Sequence, residues 1–113
     1  MADTGFHRTE FGTSVVAGTA ETVLALSGEL DIATTGQVRA AVDDLRRSGT
    51  SRILIDLRPL EFMDCQGPRV LLDLRSGSDT DGGTLTLVPG RRAVQRVFDL
   101  TDTSRHFLWN GAH

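Results

Sequence analysis

From Thr35 onward the hydrophobic period of this chain keeps switching, and that alternation restricts its fold more than any other feature. Val38, Ala41, Val42 and Leu45 recur at i, i+3, i+4 and i+7, the spacing of one face of an α-helix. Ile53-Leu54-Ile55 then runs unbroken inside Arg52 to Leu57, as a buried strand does. The helical stripe returns at Val70, Leu71 and Leu74, a strand pattern at Thr84 to Val88, and a stripe again at Ala93, Val94, Val97 and Phe98. A strand–helix–strand alternation of this kind predicts parallel strands, right-handed crossovers and helices packed on the sheet.

The rest of the chain fits around that framework. Phe6 to Val16 reads as one extended edge segment interrupted at Gly12, and Ala17-Gly18-Thr19-Ala20 as a turn. Thr22 to Leu26 reads as a second strand, antiparallel to the first, whose nearly continuous apolar character predicts burial on both faces. Ser27 to Asp31 closes it. Thr34 or Thr35 caps the first helix, which Arg46-Arg47 and Gly49 end. The third strand, Arg52 to Leu57, is expected at the centre of the sheet and is stopped by Pro59. Pro68 suits the first turn of the second helix, where its missing N–H costs nothing. Ser76 to Gly83 is polar and rich in glycine, and predicts a mobile loop. Pro89-Gly90 turns the chain before the third helix, and Phe107-Leu108-Trp109 reads as a closing element on the core. The expected class is α/β, one domain over residues 6–109 in the order ββαβαβα plus a short terminal element. The ends, 1–5 and 110–113, are expected to be flexible.

At 113 residues the chain has room for a single core. No apolar run reaches membrane-spanning length, and Met1-Ala2-Asp3-Thr4 lacks the features of a secretory leader, so a cytoplasmic location is expected. The net charge of −3 and the absence of a basic cluster argue against direct nucleic-acid binding. Cys65 is the single cysteine, which excludes an internal disulfide, and His7, His106 and His113 have no ligand spacing. No metal and no cofactor is expected.

The short polar turn Asp64-Cys65-Gln66-Gly67-Pro68 stands out, lying between an apolar segment and a helix whose first N–H groups have no internal partner. Other motifs read as structure. Glu29 and Asp31 form no catalytic pair, and Asp31 suits the cap of the next helix. Asp56, inside the third strand, is expected to bond backbone or Arg58. Cys65 at a helix start has the setting of a reactive thiolate but no neighbouring base in sequence, so a small side chain filling a tight turn is the expected role. Gly82-Gly83 lacks the lysine and hydroxyl of a phosphate loop. No nucleophile–base pair or metal set assembles, so an enzyme is not expected.

Leu26-Ser27-Gly28-Glu29-Leu30-Asp31, Ile53-Leu54-Ile55-Asp56-Leu57 and Phe62-Met63-Asp64-Cys65-Gln66-Gly67, in this order and spacing, resemble the STAS family of anti-sigma factor antagonists and related transporter domains. The likeness runs from about Phe11 to Phe107 and includes Gly83 to Val88 and Val94 through Leu100. It implies a small domain with a mixed sheet and no chemistry of its own, which binds an anti-sigma factor, usually a serine kinase, and so frees a sigma factor for transcription. The kinase phosphorylates the family's serine just before the turn's glycine, and the added charge breaks the complex. Here that position is Gln66, preceded by Cys65, and neither accepts phosphate from a serine kinase. Asp64 and Gly67 match the family, Asp31 matches its acidic residue beside the turn, Pro68 replaces an aliphatic residue, and Thr101-Asp102-Thr103 replaces the common Thr-Gly-Leu. The resemblance therefore implies a partner surface of Asp31, Asp64, Cys65, Gln66, Gly67 and Arg69 without the usual phosphoswitch. Two alternatives are a domain sensing a small ligand or nucleotide at the turn and a thiol switch at Cys65.

Overall fold

The structure, a computed structural model, describes residues 10–111, apart from the side chains of 79–81. Strands β1 (Gly12–Ala17) and β2 (Thr22–Leu30) are followed by α1 (Thr35–Arg47), β3 (Arg52–Asp56), β4 (Leu60–Met63), α2 (Gln66–Asp81), β5 (Thr84–Val88), α3 (Arg92–Leu100), a 3₁₀ turn (Ser104–His106) and β6 (Leu108–Trp109). The sheet runs β1-β2-β3-β5-β6, with β4 paired to β2 off this path. β1 is antiparallel to β2 and every other pairing is parallel. The mixed sheet, its central β3 and the parallel crossovers are those the sequence predicts. Residues 1–5 and 112–113 of the expected flexible ends, and residues 6–9 of the expected first strand, lie outside the described residues.

All three helices share one core with alternate residues of the sheet. Val38 and Val42 of α1, Val70, Leu71 and Leu74 of α2, and Val94 and Phe98 of α3 meet Leu24, Leu26, Ile53, Ile55, Leu85 and Leu87. Burial along β2 accordingly alternates: Leu24, Leu26 and Leu30 are buried, while Val23 and Ala25 on the other face are half-buried. Two-sided burial was expected; only one face of β2 carries helices. In α3, Ala93 of the expected stripe is exposed and Val97 half-buried, because Val94 and Phe98 alone point squarely at the core. Phe98 meets Phe107 and Trp109 edge-on, at ring distances of 5.5 and 5.0 Å, and Trp109 Nε1–H donates to the Ser104 carbonyl. That aromatic group fastens the closing element to the core, with Leu108 left exposed.

Two local readings need correction. The strand β4 was not in the expected order. β2 does not close at Ser27 but continues to Leu30, and its second half pairs with β4 after a register shift at Gly28/Glu29. Leu60-Glu61-Phe62-Met63 is too short to signal a strand alone; the free second half of β2 makes it one. The expected mobile loop at Ser76 to Gly83 is instead the last turns of α2, up to Asp81. Arg46 on α1 donates to the Leu74 carbonyl and the Ser78 hydroxyl, and Ser78 is buried. The helix then ends where Gly82 takes φ +79° and the Gly83 N–H bonds the Ser78 carbonyl, a left-handed cap. A tertiary contact thus overrides weak helix propensity here.

Asp56 behaves as expected. Its carboxylate accepts two bonds from the Arg58 guanidinium and one from the Arg58 N–H, at 2.9, 2.9 and 3.0 Å. Those bonds hold the Asp56 carboxyl below its ordinary pKa, against a smaller opposing effect of burial. A depressed folded-state pKa means that the unfolded chain binds the proton more tightly. The stabilisation from Asp56 is thus complete above its unfolded value of about 3.9 and disappears as pH falls through the folded value. Urea unfolding should show Asp56→Asn less stable than the parent at about pH 7, with the gap closing towards about pH 3. An undiminished gap in acid would contradict this account.

Candidate functional site

The chain places the turn through strand pairing. Leu30 is the register partner of Met63, so the residues that follow each, Asp31 and Asp64, leave neighbouring strand ends side by side. The Asp64 N–H donates to the Leu30 carbonyl at 3.1 Å, joining the two segments. Asp31, Asp64, Cys65, Gln66, Gly67 and Arg69 are thereby gathered at the C-terminal ends of β2 and β4 and the start of α2. Ligand and partner sites commonly form at such sheet ends.

Both aspartates shape their own turns. An Asp64 carboxylate oxygen accepts the Gln66 N–H at 2.8 Å, and an Asp31 oxygen accepts the Ala33 N–H at 3.0 Å. Asp56, the last residue of β3, does the same with Arg58, so β2, β3 and β4 each end at or just before a carboxylate bonded two residues ahead. The Asp64 carbonyl accepts the Gly67 N–H at 3.0 Å, starting α2. Beyond β2, the Asp31 N–H donates to the Thr34 hydroxyl at 2.9 Å, while the Thr34 and Thr35 N–H groups bond the Asp31 carbonyl. Thr34 occupies the cap position of α1, yet its hydroxyl turns back to the Glu29 and Asp31 carbonyls at the end of β2 and makes no cap bond to the helix. The expected cap residue is correct in place and different in bonding.

Gly67 is where the turn is fixed to the core. A Cβ there would overlap Met63 Cγ and Sδ and lie 3.5 Å from Leu30 Cδ2. Met63 is 1% exposed, so its side chain has no free direction to retreat. Pro68 is buried in the first turn of α2, as its missing N–H allows. Cys65 is exposed, which corrects the expectation that it fills the turn. Gln66 is half-buried and Arg69 exposed.

Sequence reasoning missed the groove beside the turn. Cys65, Pro68, Arg69 and Leu72 on one side and Thr101 and Thr103 on the other line a cavity of about 310 Å³. Its far wall is the segment where Thr101-Asp102-Thr103 departs from the STAS pattern. Asp102 takes φ +57° there, a left-handed conformation in which glycine is at ease, which explains the common Thr-Gly-Leu. Three large apolar side chains next to the site are exposed: Ile32 at 72%, Phe62 at 48% and Leu100 at 74%. They are within two residues of Asp31, Asp64 and Thr101 respectively. Among the described residues no three metal-ligating side chains converge. No helix among them is long and apolar enough to cross a membrane.

Known proteins share this pattern. The family model described as STAS domain matches residues 13–111. An anti-sigma F factor antagonist of Paenibacillus polymyxa is 31% identical over 80 residues, covering 70% of this chain and 68% of that protein. A solved anti-sigma factor antagonist from Mycobacterium paratuberculosis has a TM-score of 0.74 at 21% identity, over 91% of this chain and 87% of that one. The anti-sigma factor antagonist SpoIIAA in its unphosphorylated form gives 0.72 at 22% identity, over 88% and 89%. The two structures share the fold.

Proposed function

The chain belongs to the STAS domain family, and on that premise we propose that it is an anti-sigma factor antagonist that works by contact and without the serine phosphoswitch. Its partner is an anti-sigma factor of the serine-kinase type, and its site is the surface formed by Asp31, Asp64, Cys65, Gln66, Gly67 and Arg69. Binding there releases a sigma factor for transcription in the cytoplasm. The curated relative's name supports the partner class.

The observation that carries the proposal is the exposure of Ile32, Phe62 and Leu100 beside a turn whose Asp64, Gln66 and Gly67 N–H groups are bonded within the protein. A hydrogen-bonded polar turn with exposed apolar side chains close by in the chain is suited to a protein contact, where apolar anchors supply affinity and polar groups supply register. Gln66 at the position of the family's acceptor leaves the surface neutral at that point. It has the hydrogen-bonding capacity of an unmodified hydroxyl residue and no group that takes phosphate.

Affinity capture from native cell extract identifies the partner, and incubation of the purified pair with ATP tests the switch by intact mass. The parent chain is expected to gain no phosphate, whereas Gln66→Ser is expected to gain one and lose affinity for the kinase. Phosphate on residues 64–68 of the parent would refute the absent switch. Capture of no anti-sigma factor would refute the function.

A further inference from the structure

We infer that the outer edge of β1 is a self-association surface, on which a second copy of this chain adds its own β1 antiparallel and joins two sheets into one. The inference is independent of the function proposed for the turn.

β1 pairs with β2 over its whole length, from Gly12↔Ser27 to Ala17↔Thr22. Among the described residues nothing pairs with its other side, so alternate N–H and C=O groups there face outward. Proteins usually protect such an edge with a charge, a proline, a bulge or a very short strand. The other end of the sheet follows that rule, since β6 is two residues long. β1 does not. Its sequence, Gly-Thr-Ser-Val-Val-Ala, contains neither charge nor proline, and its pairing with β2 has no bulge. Val15 and Val16 are 51% and 63% exposed. As consecutive strand residues they point to opposite faces, so the edge is apolar on both.

The register shows why the occupant is a second copy. On the core face a row runs Trp109, Leu87, Ile55, Leu24 and ends at Val15. On the outer face a row runs Leu108, Thr86, Leu54, Val23 and ends at Val16. Both rows stop at exposed valines. A two-fold axis normal to the sheet makes two β1 strands antiparallel and keeps all helices of both copies on one face. Centred on Val15, it places Val15 against Val15 of the second copy and Val16 against Ser14 of the second copy. The core row then continues through Val15 into the second copy, while on the outer face Val16 meets Ser14, with like faces together. One six-residue strand buries far less than the roughly 800 Å² per partner of a standard interface, so the dimer is weak and concentration-dependent.

Sedimentation velocity of the full chain under reducing conditions, which keep Cys65 from cross-linking, tests this over a roughly hundredfold range of concentration. The parent is expected to shift from monomer towards dimer as concentration rises. Val15→Lys and Val16→Lys, at exposed positions, are each expected to weaken association at least tenfold with unchanged melting temperature. Amide exchange at Thr13 to Ala17 is expected to slow as the dimer fills. A parent that stays monomeric throughout, or a dimer that survives both lysine variants, would overturn the inference.

Discussion

Replacing Gly67 with valine is expected to cost about 3 kcal/mol of folding stability, measured by urea unfolding. The reason is local and steric. Gly67 is the second residue of α2, and a Cβ there overlaps the Met63 side chain, which is buried to 1% exposure beneath it. Leu30 closes the space from the other strand. Helix and strand must move apart, and both belong to the site: Met63 precedes Asp64, and Leu30 precedes Asp31. The same substitution is therefore expected to weaken partner binding. A Gly67→Val chain within about 0.5 kcal/mol of the parent would show that this junction is looser than its packing indicates.

Gln66→Glu is expected to separate stability from binding. Gln66 is the first residue of α2, and a carboxylate near a helix N-terminus is favourable by about 0.3–1 kcal/mol. The variant should fold at least as well as the parent. At a protein contact, the same charge sits beside Asp64, in a place suited to a neutral group. Binding to the anti-sigma factor is expected to fall at least tenfold, or about 1.4 kcal/mol. Calorimetric titration and thermal unfolding read the two effects independently. Unchanged affinity would place Gln66 outside the contact.

The sequence was most legible where one physical signal dominated. The stripe of α1 and the apolar runs of β3 and β5 have clear periods, and each appears within a residue or so of its expected bounds. It was less legible where structure depends on distant partners. β4 exists because β2 outlasts β3 and leaves a free flank for Leu60 to Met63. The end of α2 exists because Arg46 reaches across from α1 to Leu74 and Ser78. No window of sequence contains either relation. The turn itself could be found from Asp64 and Gly67, and its neighbour Asp31 from the family resemblance. The groove wall at Thr101 and Thr103 could not, because α3 brings it there from a distant stretch of chain. What the pattern Thr101-Asp102-Thr103 did signal was a departure from the family, and the left-handed Asp102 gives that departure a conformational meaning.

The central claim is that this domain meets its anti-sigma factor through the ends of β2 and β4 and the start of α2. Hydrogen exchange of the chain with and without the captured partner tests it most directly. The account predicts slowed exchange at Asp31 to Thr35 and at Asp64 to Leu72, with the β1 edge and the 48–51 loop unchanged by the partner. Protection confined to the β1 edge or the opposite end of the sheet, with the turn unchanged, would contradict it.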